Sequence, residues 1–159
     1  ICIPYQMAYG EKGRDPIPAR SDLIFDVYVT AAERIDKPVP EAINENNIIL
    51  TESGLKYVML KEGQGALPQA GQLLKVHYSG FLSDGSLFDS SVQRGTPLRF
   101  VLGAGQLIPG LEEGIALMKT GGRAQLIVPP HLAYGQKGRG PVPPDETLIF
   151  DVELIAIEP

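Results

Sequence analysis

The sequence repeats part of itself, and this repeat limits how the chain can be organised. Residues 3–29 align without a gap on residues 128–154, and 14 of the 27 paired positions are identical. Ordinary residue frequencies would give about two identities by chance. The second copy follows a long stretch, residues 48–127, with strand and helix patterns of its own, whereas only two residues precede the first copy. The sequence therefore predicts one complete domain preceded by the final part of another.

This organisation divides the chain into three expected segments. Residues 1–35 are expected to be the C-terminal remnant of a preceding domain, residues 36–47 a linker, and residues 48–159 the complete domain. Pro38 and Pro40 favour an extended linker, and the polar and acidic residues after them give it no apolar face.

Composition and charge exclude several classes of function. The chain is 43% apolar and 21% charged, as in ordinary globular proteins. No apolar stretch approaches the roughly 18 residues that a membrane span needs. A net charge of −5 and the lack of a Lys/Arg cluster argue against a nucleic-acid surface. The single cysteine, Cys2, cannot form an internal disulfide or a cysteine metal cage, and we expect it to be a small buried residue.

Apolar and polar residues alternate with a period of two in much of the expected domain, which predicts strands. Asp84 and Gly85 predict a tight turn between two of these strands. The predicted strands cover residues 55–60, 73–82, 86–91, 98–103, 123–128 and 148–157.

A single segment has a helical pattern. Pro109 suits the first turn, and three apolar residues then follow at helical spacing. Lys119 is expected in the last turn, with residues 121–122, both glycine, as the C-terminal cap. The apolar face consists of Leu111, Ile115 and Met118. The pattern predicts an α+β fold in which one short helix packs on an antiparallel sheet.

No familiar covalent, cofactor or metal site emerges from the residue pattern. His77 alternates with apolar neighbours along its strand, so we expect it to face solvent, and His131 is distant in sequence. The run GAGQLIPG at residues 103–110 resembles a dinucleotide-binding fingerprint, but Ile108 stands where the third glycine is needed and the βαβ frame is absent. We therefore predict no cofactor and no metal.

One group of aromatic and aliphatic residues lies beside loops rich in glycine or proline. Each residue of this group, taken alone, is most simply explained as part of the hydrophobic core. Phe88 differs because Asp89 follows it directly, which places a carboxylate beside a core aromatic ring. Asp89 could cap a turn, or Arg94 could hold it in a pocket. The group consists of Tyr78, Phe88, Phe100, Ile108, Tyr134 and Phe150.

Three blocks of sequence resemble one known family. HYSGFLSDGSLFDSS (77–91), GQLIPGLEEGIALMKTGGRAQLIVPPHLAYG (105–135) and PVPPDETLIFDVEL (141–154) closely resemble the FKBP-type peptidyl-prolyl cis-trans isomerases. The resemblance extends over residues 50–158. It implies a twisted antiparallel β-sheet half-wrapped around one short α-helix, in agreement with the pattern above.

The resemblance also implies a site, by matching each motif to this sequence. The catalytic surroundings would be Tyr78, Phe88, Asp89, Tyr134 and Phe150. The substrate-binding residues would be Arg94, Leu98, Phe100, Leu107, Ile108, Leu111 and Val142. Leu111 replaces a tryptophan that many members have at the pocket floor, and Leu98 replaces an aromatic residue at the pocket edge. Both differences imply weaker binding of the macrolide immunosuppressants that the family binds.

The implied activity is rotation about Xaa-Pro bonds in proline-containing polypeptides, as an aid to folding. The amide of Ile108 and the hydroxyl of Tyr134 would hold substrate carbonyls, while Asp89 would orient the twisting bond. The alternative is a binding or chaperone module with little isomerase activity. Retention of the Phe88-Asp89 pair, Tyr134 and Phe150 favours the enzyme.

The resemblance also implies an origin for the first copy of the repeat. Residues 1–31 would be the final third of a first isomerase-like domain that lacks the strands for a complete pocket. The segment could be a truncation remnant, it could pack on the intact domain, or its strand could complete the sheet of a neighbouring chain. An unpaired apolar strand is prone to pair with another edge, so we expect docking or exchange. Its residues Tyr9, Ile17 and Phe25 align with Tyr134, Val142 and Phe150.

Overall fold

The structure is a computed structural model, and it describes residues 38–158 together with the strand pair Cys2–Ile3 and Leu23–Ile24. The chain divides into two compact units, Ile1–Ile35 and Asp36–Pro159. In the first unit, β1 (Cys2–Ile3) pairs antiparallel with β2 (Leu23–Ile24).

The pocket-like residues expected in the first unit, Tyr9, Ile17 and Phe25, lie outside the described residues. The docking or exchange of residues 1–35 and their origin in a preceding domain therefore stay predictions.

The second unit contains a seven-stranded sheet and one α-helix among the described residues. The elements are β3 (Ile49–Leu50), β4 (Lys56–Lys61), β5 (Leu73–Phe81), β6 (Leu87–Ser90), β7 (Leu98–Val101), α1 (Pro109–Ala116), β8 (Arg123–Val128) and β9 (Leu148–Glu158). All strand pairs are antiparallel, and the order is β3-β4-β8-β9-β5, with β6 and β7 both paired to the other edge of β5. The predicted α+β fold is confirmed, with one short strand added before the predicted set.

The core lies between the helix and the inner face of the sheet. Helix α1 buries Leu111 and Ile115, and Met118 just beyond its end is also buried, as the spacing predicts. Gly110 and Gly114 bring the helix backbone against β8, because a Cβ at Gly114 would lie 2.6 Å from Leu126 Cδ2. The glycines therefore set the distance between helix and sheet.

The helix ends earlier than its sequence pattern predicts. It ends at Ala116, and the amides of Leu117 and Met118 donate to carbonyls three residues back in a tightened last turn. Lys119 is thus outside the helix, where it pairs with Glu62 at 3.0 Å. Gly121 donates its amide to the Leu154 carbonyl at 2.7 Å, so the glycines lead the chain into the sheet instead of capping the helix.

The segment expected to be a linker contacts the outer face of the sheet. The side chain of Gln125 donates to the Glu41 carbonyl and to Asp151 Oδ1, both at 2.8 Å. The Glu41 amide donates to Asp151 Oδ2 at 3.0 Å, and Arg123 pairs with the Glu41 carboxylate at 3.0 Å. Burial raises the pKa of Asp151. The sequence gives this segment no apolar face, but the side chains of Asp151 and Gln125 bind the backbone amide and carbonyl of Glu41.

Replacing Gly114 by alanine is expected to destabilise the protein by about 1–3 kcal/mol, because the added methyl collides with Leu126 in a packed core. An unstrained helix would instead gain about 1 kcal/mol from the same change. Urea unfolding measures whether the free energy of unfolding falls or rises in Gly114→Ala. In a Leu126→Val background, which lacks the colliding carbons, the cost should shrink; an equal cost in both backgrounds contradicts the packing argument.

Replacing Gln125 by alanine is expected to cost about 1–3 kcal/mol, because it leaves the Glu41 carbonyl and Asp151 short of a donor. The Glu41 amide should also lose protection in hydrogen exchange measured by NMR. The exposed Gln64→Ala is the matched control and should change neither quantity. Unchanged protection of the Glu41 amide in Gln125→Ala would show that residues 38–42 are not held by this contact.

Candidate functional site

A cavity of about 640 Å³ opens between the sheet, the N-terminal end of α1 and the loop before β9. Most of the residues that the family resemblance implies lie in its wall. These are Tyr78, Phe88, Asp89, Leu98, Leu107, Ile108, Leu111, Tyr134, Val142 and Phe150. The predicted residues are therefore brought together from four strands, the helix and two loops, although they are distant in sequence.

Three aromatic rings form one side of the cavity. The Phe88 ring meets the Phe150 ring edge to face, with centroids 5.7 Å apart and an interplanar angle of 85°. The Tyr78 ring is tilted against Phe150 with centroids 6.3 Å apart. Edge-to-face contacts of this kind are favourable and hold the rings in place. The result is an apolar wall with the Tyr78 hydroxyl at its edge.

Local sequence explains how these rings meet. Gly85 has φ +84° in the turn predicted at Asp84-Gly85, and the turn returns β6 along β5. Gly80 in β5 then lies opposite Phe150 on one side and Asp89 on the other. A Cβ at Gly80 would lie 2.8 Å from both the Phe88 and Phe150 rings. Only glycine at this position leaves room for the aromatic wall.

The carboxylate of Asp89 is held by two donors. The Tyr78 hydroxyl donates to Asp89 Oδ2, and Arg94 Nη1 donates to Asp89 Oδ1. Arg94 Nη2 also donates to the Tyr78 oxygen at 3.0 Å, and its guanidinium carbon lies 5.7 Å from the Tyr78 ring centroid. Burial, followed by the hydrogen bond to Asp89, raises the pKa of Tyr78. The cluster keeps Tyr78 protonated and Asp89 in one orientation.

The segment entering α1 contributes Ile108 to the cavity wall. The carbonyl of Ile108 accepts from the amides of Leu111 and Glu112 in the first turn. Within residues 38–158, no acceptor takes the Ile108 amide proton. The Glu112 carboxylate accepts the amides of Gly103 and Gln106, both at 3.1 Å, which fixes the loop before Ile108.

Tyr134 lies between two short 3-10 helices, Pro130–Leu132 and Gly135–Lys137, on the other side of the cavity. It is half-buried. The loop after it is fixed where Arg139 and Val142 exchange two backbone hydrogen bonds of 2.9 Å. The side chain of Val142 is thereby buried against the cavity wall.

Two of the residues implied by the resemblance lie outside the cavity wall. Phe100 is only 2% exposed and belongs to the core beneath the site. Arg94 contacts the site through Asp89 and Tyr78. His77, expected to face solvent, is half-buried, and its Nδ1 lies 3.0 Å from the Ser91 hydroxyl.

Several wall residues were missed by the sequence reasoning because they are small or lie in loops. Gln106 and Pro109 belong to the GAGQLIPG run, in which the family resemblance assigns only Leu107 and Ile108 to the site. Their position directly beside Leu107 and Ile108 was the sequence signal that could have identified them as wall residues. The residues missed are Gly105, Gln106, Pro109, Arg139, Gly140 and Pro141.

The arrangement can hold an apolar ring among aromatic side chains while donating hydrogen bonds to carbonyl oxygens. Ile108, whose amide has no acceptor among residues 38–158, and Tyr134, with its hydroxyl, are among the wall residues that can donate, and Asp89 is a fixed acceptor. In the described part of the chain, no helix has the length and apolar character needed to cross a bilayer.

Comparison with known proteins places these residues in a family. A family profile described as FKBP-type peptidyl-prolyl cis-trans isomerase matches residues 65–155. The chain is 52% identical over 108 residues to the FKBP-type peptidyl-prolyl cis-trans isomerase FkpA of Aeromonas hydrophila, a match that covers 68% of this chain and 40% of that protein. It is 46% identical over 106 residues to FK506-binding protein 1 of Dictyostelium discoideum, covering 66% of this chain and 99% of the relative.

The fold agrees with this assignment. The crystal structure of FkpA from Escherichia coli superposes with a TM-score of 0.68 at 42% identity, covering 72% of this chain and 53% of that one. The chain thus spans about half or less of the two FkpA proteins. The profile match lies within the unit that contains the cavity. This chain belongs to the FKBP-type peptidyl-prolyl cis-trans isomerase family.

Proposed function

We propose that this chain catalyses cis–trans isomerisation of Xaa-Pro bonds in polypeptides and that the reaction occurs in the cavity described above. The observation that carries the proposal is the combination, in one cavity, of an aromatic wall, a fixed carboxylate and free hydrogen-bond donors. The natural clients would be exposed proline-containing segments of folding proteins.

The chemistry needs only these groups. Rotation about the Xaa-Pro bond is slow because the twisted amide loses resonance, at a barrier of about 18–20 kcal/mol. No covalent bond breaks, so no nucleophile is required. The twisted amide has less charge separation than the planar one, and an apolar wall therefore favours it over the ground state. Such differential binding of the transition state lowers the barrier.

The proline ring would lie against the rings of Phe88 and Phe150. The Ile108 amide has no acceptor among the described residues and would bind one substrate carbonyl, with the Tyr134 hydroxyl binding another. Because Glu112 fixes the loop before Ile108, this donor would be in place before the substrate arrives.

Asp89 would orient the carbonyl that leaves the amide plane. Tyr78 in the cavity wall and Arg94 outside it hold the carboxylate, so Arg94 acts through Asp89 as a positioning residue. Leu98 and Leu107 would contact the residues that flank the proline. Phe100 would support the wall from the core, since it is buried beneath the cavity.

The residue at the floor of the cavity affects the expected affinity for macrolides. Leu111 lies there, only 7% exposed, and Val142 lies in the same wall. A similar protein is named FK506-binding protein 1, and we propose that this chain also binds macrolides of that kind. Leucine offers a ring less surface than a large aromatic side chain would, so the affinity should be reduced.

The internal repeat supports a proposal about the longer protein. Residues 3–29 and 128–154 share 14 of 27 positions, so residues 1–35 would derive from a preceding isomerase-like domain, residues 36–47 would join the two, and residues 48–159 would carry the activity. The parent would then be a tandem of such domains.

Replacing Phe88 by alanine or Asp89 by valine is expected to lower kcat/KM for Xaa-Pro tetrapeptides by at least about tenfold, equivalent to about 1.4 kcal/mol of transition-state stabilisation. A protease-coupled assay measures the rate. Val92→Ala, at a side chain 53% exposed and outside the cavity wall, is the control and should retain the wild-type rate. A wild type without activity, or variants that equal it, would contradict the proposed function and favour a binding module.

Replacing Tyr78 by phenylalanine is expected to flatten the dependence of stability on pH above 10.0, the ordinary phenol value. A phenol with a raised pKa keeps its proton in the folded state while the unfolded chain loses it, so the free energy of unfolding falls as pH rises through this interval. Urea unfolding at a series of alkaline pH values measures the slope, and phenolate absorbance should lose one late-titrating group. An unchanged slope would mean that Tyr78 is not buried as described.

A further inference from the structure

The cavity wall contains two charged side chains, Asp89 and Arg139, among the described residues. Their situations differ. The charge of Asp89 is balanced by Arg94, and both of its oxygens accept hydrogen bonds. Arg139 is exposed, and none of the ion pairs among the described residues includes it.

The position of Arg139 is well fixed for an exposed residue. Its backbone exchanges two hydrogen bonds of 2.9 Å with Val142, and its guanidinium carbon lies 5.6 Å from the centroid of the Tyr134 ring. Stacking on an aromatic face holds a guanidinium in place while its N–H groups stay available. The cation is thereby held beside the hydroxyl proposed to bind substrate.

The acidic residues nearest to Arg139 in the chain do not pair with it. Residues 132–144 contain no Asp or Glu, and Asp145, which follows them, is exposed and forms no ion pair among the described residues. The carboxylate of Glu112, at the helix start, accepts backbone amides of the loop before Ile108. The guanidinium of Arg139 is therefore available to a carboxylate that a ligand brings, although the whole chain has a net charge of −5.

We infer that Arg139 gives this site a preference for polypeptides that carry a carboxylate on the residue directly before or directly after the proline. The inference rests on the proposed isomerase function and names its substrate class. A client Asp or Glu would bind the free N–H groups of Arg139 while the proline occupies the aromatic wall. An exposed, geometrically fixed ion pair makes a modest contribution, so the preference should be about two- to fivefold in kcat/KM.

The test uses the full chain and two series of acetylated, amidated pentapeptides, Ala-Xaa-Pro-Phe-Ala and Ala-Leu-Pro-Xaa-Ala, with Xaa as Glu, Gln or Lys. NMR exchange spectroscopy measures isomerisation without a coupled protease. In at least one series, the Glu peptide should exceed the Gln peptide about two- to fivefold and the Lys peptide should be slowest. The difference should vanish in about 1 M salt, because screening weakens exposed pairs.

Variants assign the effect to one side chain. Arg139→Gln should bring the Glu and Gln peptides to equal rates. Arg123→Gln makes the same charge change on the outer face, where Arg123 pairs with Glu41, and should keep the preference. Lys137→Gln should keep it as well, since Lys137 is not in the cavity wall.

Three results would overturn the inference. They are equal rates for Glu and Gln peptides in both series, a preference that persists in Arg139→Gln, and a preference that Lys137→Gln removes as completely as Arg139→Gln. Failure of the wild type to accelerate any peptide is a different result, because it would contradict the proposed function itself. Circular dichroism on each variant verifies that the fold is retained.

Discussion

The structure depends on the pairing of β5 with β9 in the middle of the sheet. This register places Gly80 opposite Phe150 and turns Leu148, Phe150, Val152 and Leu154 into the core. Asp151, between two core residues, faces the other side and binds Glu41. Because side chains alternate along a strand, a slip of one residue would remove Phe150 from the cavity and bury Asp151 in the core.

The cavity follows from this pairing in steps. Gly80 leaves space for the rings of Phe88 and Phe150, and the hairpin turn brings Asp89 back beside Tyr78. Helix α1 then closes the floor, since its glycines let it approach β8 closely. Polar groups are added only at the edge, from loops whose own hydrogen bonds hold them. An apolar wall with fixed polar edges is the kind of environment that favours a twisted amide over a planar one.

Much of this could be predicted from sequence, since alternation marks the strands and Asp84-Gly85 marks the turn. The features that could not be predicted depend on distant partners. Beyond the helix end at Ala116, the Gly121 amide pairs with the distant Leu154 carbonyl, and the docking of Glu41 depends on Gln125, which lies 84 residues away. Arg139 carries no local signal either, because its importance comes from its place in the cavity wall without an ion-pair partner among the described residues. The motif resemblance identified most of the wall, whereas loop residues became visible only through geometry.

The proposed activity requires that the cavity itself bind Xaa-Pro bonds and speed their rotation. NMR on the ¹⁵N-labelled full chain with an unlabelled Ala-Leu-Pro-Phe peptide measures binding position and exchange in one sample. We expect accelerated exchange between the cis and trans peptide signals, with chemical-shift changes concentrated at the amides of Ile108, Tyr134 and Phe150. Exchange at the uncatalysed rate, or shift changes confined to Glu41 and Arg123 on the outer face, would show that the cavity is not the site of the reaction.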